Sequence, residues 1–422
     1  MKNTSEELHS NDTPGAVESQ DSAVFLYTKI ISTQKNLSKQ FNLLPDGTLK
    51  PKPGGNLWKG KVVLCRSSLH SYIKEMMNKE KQELWVAVYG VPVLPGEIFK
   101  LTTKDQTKGG LKEGEIVRTK QYLTFKEGEP GFWVFDYDPP KFMPDERDKK
   151  PLSAKELIQI FYTALPCLKE QDTQMCVVSS SSSYIYRESD KEMLRGDGGK
   201  RIIIPVDNAA MIPAMSEYFE QQLWLHGYGR HKITHAGTTR KTTVLDLCFG
   251  KQPERIDFTP AGAICGEGLY QARPDPMFVG SQVLVADLVP KKVSKKDLDK
   301  IKELIAVSKS KRSIEAIPVR QAAIAEKVET IIKRSPHFSK AKVQEQVERL
   351  YEKRELGCDM LLYLEDEDEP VSVGEIVANP KDYHEKKCLP PLDEDDPDYQ
   401  RYWGCKPKPP KIPRGIEMFV TC

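Results

Sequence analysis

Phe132-Trp133-Val134-Phe135-Asp136-Tyr137-Asp138-Pro139-Pro140 is the stretch whose reading decides the fold. Four large apolar or β-branched residues in a row predict a buried strand, and the proline pair forbids its continuation. Strand side chains alternate, so Asp136 and Asp138 share one face while Tyr137 points to the other. Two carboxylates on one face at a strand end are costly to keep ionised unless a cation lies between them. The pair is therefore a candidate Mg²⁺ or Mn²⁺ site. The competing reading has one Asp capping a turn and the other solvated. A third carboxylate and a phosphate-binding neighbourhood would decide for the metal.

Both occur further along the chain. Thr242-Thr-Val-Leu-Asp-Leu-Cys248 is β-branched and apolar with one acid, Asp246, inside it. A buried acid in an apolar strand costs several kcal/mol unless it is paired or liganded. Asp136, Asp138 and Asp246 together would supply the oxygen ligands of a two-metal phosphoryl or nucleotidyl transfer centre. Between them lie a strand, Met175 to Ser179, that runs into serines up to Ser183, and the segment Gly196-Asp-Gly-Gly-Lys-Arg201. The hydroxyls of Ser180, Ser181 and Ser182 and glycine-rich backbone N–H groups suit phosphates, which Lys200 or Arg201 can neutralise. A serine run alone is most often a loop, and a Gly-Gly a turn; the order of the four segments is what points to a site.

The rest of the chain supports a soluble, multi-part protein. With 422 residues and 39% hydrophobic content it can bury a good core, and its length predicts about two or three units. The net charge of +2 announces no global basic field, so any nucleic-acid surface must be local. No apolar run approaches the ~20 residues of a membrane span, and the polar N-terminus lacks a signal-peptide core, so the expected location is cytoplasmic. Nine scattered cysteines suggest free thiols of a reducing compartment. Residues 1–22 read as a disordered tail. Capped helices are expected over Ser67 to Met77 and Ser153 to Leu165, the latter with a Ser153/Glu156 capping box, and an amphipathic helix over Pro213 to His226. Strands are expected at Glu83 to Val91, Arg118 to Phe125 and Arg201 to Val206. Residues 291–357 turn rich in Lys, Glu, Ala and Ile, a basic helical region, and 358–422 is acidic and then Pro/Lys-rich.

On these residues the chain resembles the archaeo-eukaryotic primase superfamily, most closely the primase domains of plasmid- and phage-type primase–helicase proteins. The resemblance begins at Phe25-Leu-Tyr-Thr-Lys, Asn36-Leu-Ser-Lys-Gln and Pro45-Asp-Gly. It continues through Val134-Phe-Asp-Tyr-Asp-Pro, Val178-Ser-Ser-Ser-Ser-Ser-Tyr-Ile-Tyr, Gly198-Gly-Lys-Arg-Ile-Ile-Ile and Leu223-Trp-Leu-His-Gly-Tyr-Gly. It ends with Val244-Leu-Asp and Gln252-Pro-Glu-Arg-Ile-Asp-Phe, and a weaker echo covers Val371 to His384. It thus spans most of residues 23–290. It implies an α+β primase-polymerase core with an RRM-like, mostly antiparallel central sheet, followed by the helical accessory region. The implied activity is template-directed primer synthesis from nucleoside triphosphates on single-stranded DNA, with Mg²⁺ or Mn²⁺ held by Asp136, Asp138 and Asp246. Ser180 to Ser182 match the serine part of the family's second motif, and Arg201, after Lys200, stands where the family has a histidine. A guanidinium can hold a triphosphate but cannot titrate near neutral pH. Arg230, Lys232, Arg240 and Lys241, near the third motif, become template or phosphate contacts.

Relatives usually continue into a helicase, but this chain has no G-x-x-x-x-G-K-[ST] loop, so a separate helicase is the expected partner. His384, Cys388, Cys405 and Cys422 are four soft ligands whose spacing fits no standard finger, so structural zinc is not expected. Two other readings stay open. One is a nucleic-acid-binding replication protein weakened in catalysis by Arg201; the other is a metal-dependent D-x-D sugar-nucleotide transferase.

Overall fold

A computed structural model of the chain describes residues 23–33, 37–52, 54, 57–78, 84–107, 110–139, 150–334, 339–353, 355–358, 361–362, 364, 371–380, 382–383 and 419–421. The expected N-terminal tail, the acidic runs, the Pro/Lys-rich end and the four soft ligands His384, Cys388, Cys405 and Cys422 lie outside these residues. The chain divides into two compact units, residues 1–139, 150–228 and 244–298 in the first, and 140–149, 229–243 and 299–422 in the second. No helix among the described residues is long and apolar enough to cross a membrane.

The first unit is α+β, built on a nine-stranded mixed sheet. The strand orders Met277–Val279, Met175–Ser179, Lys200–Val206, Gly131–Tyr137, Phe25–Ser32, Gly60–Ser67, Ile98–Thr102 and Glu115–Val117 across it, and Trp85–Val88 joins Phe25–Ser32. Only the pairings of Phe25–Ser32 with Gly131–Tyr137, and of Ile98–Thr102 with Glu115–Val117, are parallel. The Gly131–Tyr137 strand (the acid strand) is central because it is apolar on both faces. Trp133, Phe135 and Tyr137 join a core with Phe161 of helix Ala154–Ala164 and Phe219 of helix Ile212–Leu225. Phe132 and Val134 join a second core on the opposite face, with Phe25, Tyr27, Tyr72 and Ile203. A strand covered on both sides in this way reads as a continuous apolar run. Where the covering ends, at Asp136, polarity begins.

The helices follow from their caps. Ser153 and Glu156 form the expected capping box, and the Ser68 hydroxyl caps Leu69–Met77 by accepting from the Ser71 N–H at 3.2 Å. Gly227, at φ +80°, follows Ile212–Leu225 in a backbone conformation that a side chain would strain. The Trp133 indole N–H donates to the Ser216 hydroxyl at 2.8 Å, pinning that helix to the acid strand.

Three expectations change. Of Arg118 to Phe125 only Leu123–Thr124 is a strand; the Thr119 carbonyl instead accepts from the N–H groups of Tyr122 and Leu123, closing a turn. Thr242 to Cys248 is not one strand: Thr239–Thr243 closes a hairpin with Gly229–Ile233, and the chain then reaches Asp246 through a single bridge. The cysteines are not uniformly free: Cys65, Cys167, Cys176, Cys248 and Cys265 are, but Cys358 is disulfide-bonded.

The second unit contains that hairpin, nearly all of the long helix Lys295–Arg334, and helix Lys340–Lys353. Ile324, Val328, Val347, Leu350 and Tyr351 form its core. The His231 N–H donates to the Ser308 hydroxyl at 3.0 Å, and Arg320 donates to the Gly237 carbonyl, so the hairpin is tied to the long helix at its strand and at its turn.

Candidate active site

The acid strand brings its two aspartates to the end of the sheet on the face of Phe132 and Val134. One neighbouring strand, Lys200–Val206, runs antiparallel with Arg201 opposite Asp136 and Lys200 opposite Tyr137. On the other edge Asp246 bridges Asp136, the two exchanging backbone hydrogen bonds of 3.1 and 2.7 Å. Residues directly opposite in an antiparallel pair present their side chains to the same face. Asp246, Asp136 and Arg201 therefore form a row across the strands, with Asp138 one pleat further along. The acids that are separate in the sequence are neighbours along the backbone here.

Arg201 is 7% exposed and its nitrogens are directed into the fold. Nη1 lies 2.7 Å from Asp136 Oδ1, yet no acceptor lies along its N–H bonds, so the contact is an ion pair and not an aligned hydrogen bond. Nη2 and Nε donate to Asp257 Oδ1 at 3.0 and 3.2 Å, and Nε also reaches the Thr259 hydroxyl at 3.3 Å. The guanidinium sits 4.6 Å from the Phe249 ring centroid. Asp257 has no exposed surface. It accepts from the Thr259 N–H at 2.9 Å and the Tyr89 hydroxyl at 2.6 Å, and that hydroxyl lies 3.0 Å from Tyr72 Oη. One buried chain thus runs from Asp136 through Arg201 and Asp257 to two tyrosines.

Electrostatics follow from this packing. Burial pushes the Asp136 carboxyl up to about 6, with Asp138 adding to the rise and Arg201 opposing it. Burial would lower Arg201, but Asp136 and Asp257 outweigh it and hold the guanidinium above its ordinary value. Burial would likewise raise Asp257, but Arg201 and the Thr259 hydrogen bonds hold it below the usual carboxylate range. Asp246 is held low against its partial burial by the Cys248 side chain, by Arg255 at 3.6 Å and by the Cys248 N–H, which donates to it at 2.8 Å.

The serine strand Met175–Ser179 lies on the far side of Lys200–Val206, with Val178 opposite Arg201 and Ser179 opposite Lys200. Beyond it, the Ser180 N–H donates to the Gly199 carbonyl at 2.8 Å, and the Ser180 and Ser183 hydroxyls are 3.1 Å apart. Gly199 has a spatial reason: a Cβ there would stand 3.0 Å from Asp138 Oδ1 and 3.1 Å from Ser180 Oγ. The missing side chain lets the second acid and the first loop serine approach each other. Ser180 and Ser181 are half-buried and Ser182 is buried. Lys200 falls on the opposite face: its ammonium lies 5.7 Å from the Tyr137 ring and donates to both Asp197 oxygens at 2.7 and 2.8 Å.

The expected template residues lie in the second unit, on the hairpin. Arg230, Lys232 and Arg240 share one face, with Lys232 opposite Arg240, and Lys241 takes the other face opposite His231. Lys232, Arg240 and Lys241 are exposed.

Sequence reasoning assigned no role to Asp257 or Arg273. The signal for Asp257 was there, a lone acid between Ile256 and Phe258; Arg273 carries no pattern. The carboxylates of Asp136, Asp138 and Asp246 fit a hard divalent cation in donor chemistry, with Asp246 bridged to Asp136 and Asp138 just past the end of the acid strand. In their present positions, one oxygen of Asp136 is on Arg201, and among the described residues no three His, Cys, Asp or Glu side chains cluster closely enough to hold a metal. Compared with family models, with curated proteins and with solved structures, the chain finds no match.

Proposed function

We propose that the chain is a DNA-directed primase–polymerase, building primers on single-stranded DNA from nucleoside triphosphates during replication of a mobile element such as a plasmid or phage. The observation that carries this reading is the row Asp246–Asp136–Arg201, with Asp138 and the Ser180 hydroxyl drawn together over Gly199. In the reaction a 3′-hydroxyl attacks the α-phosphorus, the α–β phosphoanhydride breaks, and pyrophosphate leaves. Mg²⁺ or Mn²⁺ on Asp136, Asp138 and Asp246 would lower the pKa of the hydroxyl and neutralise the phosphates. Arg201, paired with Asp136 across the strands at 2.7 Å, would hold that carboxylate beside such an ion. Ser180 and Ser181 offer hydroxyls to the phosphates. Arg230, Lys232, Arg240 and Lys241 are the template contacts of this reading, and a separate helicase opens the duplex.

The test is primer synthesis on single-stranded DNA with labelled ribo- and deoxynucleotides, Mg²⁺ or Mn²⁺, and the Asp136→Asn/Asp138→Asn variant alongside. Product from the parent and none from the variant supports the reading. One observation favours a second reading, a binding protein weakened in catalysis: Arg201 already neutralises Asp136. Single-stranded DNA binding without product, together with product from Arg201→His, would establish that alternative.

A further inference from the structure

The cations around the serine turn differ in how their charge is met. Lys200 is matched by Asp197, and Arg201 by Asp136 and Asp257. Arg273 is not matched: no carboxylate among the described residues pairs with it. Its Nη1 donates to the carbonyls of Thr259 at 3.1 Å and Ser179 at 3.5 Å, and its Nη2 to that of Met76 at 3.4 Å. It meets Arg201 across one residue, since Arg201 takes the Thr259 hydroxyl and Arg273 the Thr259 carbonyl. The same segment holds the turn in shape, because Gln271 Nε2 donates to the carbonyls of Ser181 at 3.0 Å and Ser183 at 2.8 Å.

A half-buried guanidinium resting on neutral carbonyls, two of them at long range, is short of counter-charge. Burial lowers its pKa to about 10, against the pull of Asp257. The Ser179 and Met76 contacts are long, and a phosphate adds Coulomb attraction that a neutral carbonyl lacks, so it can compete with them for the guanidinium. The guanidinium fork also matches phosphate geometry, which an ammonium does not.

We propose that Arg273 is the arginine that binds the polyphosphate tail of the nucleotide, at the edge of the turn formed by Ser180 to Ser183. The choice of a polyphosphate as ligand rests on the nucleotidyl-transfer reading above. Lys200 and Arg201 then act inside the fold, and the charge that meets the substrate comes from a residue outside the acid and serine motifs.

The probe is inorganic tripolyphosphate, titrated calorimetrically into the full chain without divalent cation. Arg273→Met should weaken binding by about ten- to hundredfold, the loss of one hydrogen-bonded charge contact. Arg273→Lys should fall between. Parent-like binding by a folded Arg273→Met, judged by circular dichroism and its melting temperature, overturns the proposal. Because Arg273 also ties Ser179, Thr259 and Met76, a measurement on the unaltered chain accompanies it: phenylglyoxal labelling read by mass spectrometry. Protection of Arg273 by tripolyphosphate supports the proposal, and equal labelling with and without it overturns it. A parent chain that binds no tripolyphosphate also overturns it, whereas the primase reading stands or falls on primer synthesis in the same preparation.

Discussion

Arg201→Met removes the centre of the buried charge chain while keeping much of the stem's volume. Asp257, without exposed surface, keeps the Thr259 N–H and the Tyr89 hydroxyl but loses its ion pair with Arg201 at 3.0 Å, its only one among the described residues. Asp136 loses its 2.7 Å contact at the same time. Removing one partner of a buried ion pair costs about 3–5 kcal/mol, because the stranded charge remains desolvated. With two carboxylates stranded, the expected loss lies in the upper part of that range. Asp257→Asn supplies the second arm of a double-mutant cycle. The Arg201→Met/Asp257→Asn chain should lose about 1–3 kcal/mol less than the two single losses summed, since the asparagine leaves no charge to strand. Urea unfolding followed by tryptophan fluorescence and far-ultraviolet circular dichroism measures all four corners. A loss below about 1 kcal/mol for Arg201→Met, or strictly additive losses, would refute the network as described.

Two further outcomes follow from the same geometry. Asp257 is held below its ordinary pKa, so its contribution to stability is complete above the unfolded value of about 3.9 and is lost as pH falls through the lower folded value. Asp257→Asn should therefore flatten the acid limb of stability below about pH 4 and lower the plateau at neutral pH, measured by melting temperature against pH; an unchanged acid limb contradicts this. Gly199→Ala places a methyl 3.0 Å from Asp138 Oδ1 and 3.1 Å from Ser180 Oγ, both side-chain atoms that can move aside. It should cost no more than about 1 kcal/mol of stability yet reduce primer synthesis more than about tenfold. Parent-like synthesis by this variant would separate Gly199 from the site.

Much of this fold was legible because strand and helix signals are local. The apolar run Phe132 to Phe135 is covered on both faces, and the alternation that follows places Asp136 and Asp138 together whatever the rest of the chain does. Ser153 with Glu156 is a capping box because both groups lie within one helical turn. Arg118 to Phe125 misled for the converse reason. Its β-prone composition is overridden by a turn at Thr119, and Arg118 donates to the distant Glu254 carbonyl at 3.0 Å.

By itself, the sequence determined which residue types stand at the strand ends: paired acids, a serine turn, a glycine and basic residues in a fixed order. From sequence alone Lys200 and Arg201 share one role at the phosphates; their pairing with Tyr137 and Asp136 sets them on opposite faces of the sheet. Only the tertiary structure decided which charges meet. Asp246 lies opposite Asp136 through one bridge, Asp257 pairs with Arg201, and the basic hairpin is part of a different unit from the acids. Charge pairing at 3 Å depends on strand register and on what is buried, both set by contacts between residues far apart in the chain. The same two neighbours, Lys200 and Arg201, therefore end beside different acids, and Arg273, without a motif of its own, ends beside the serine turn.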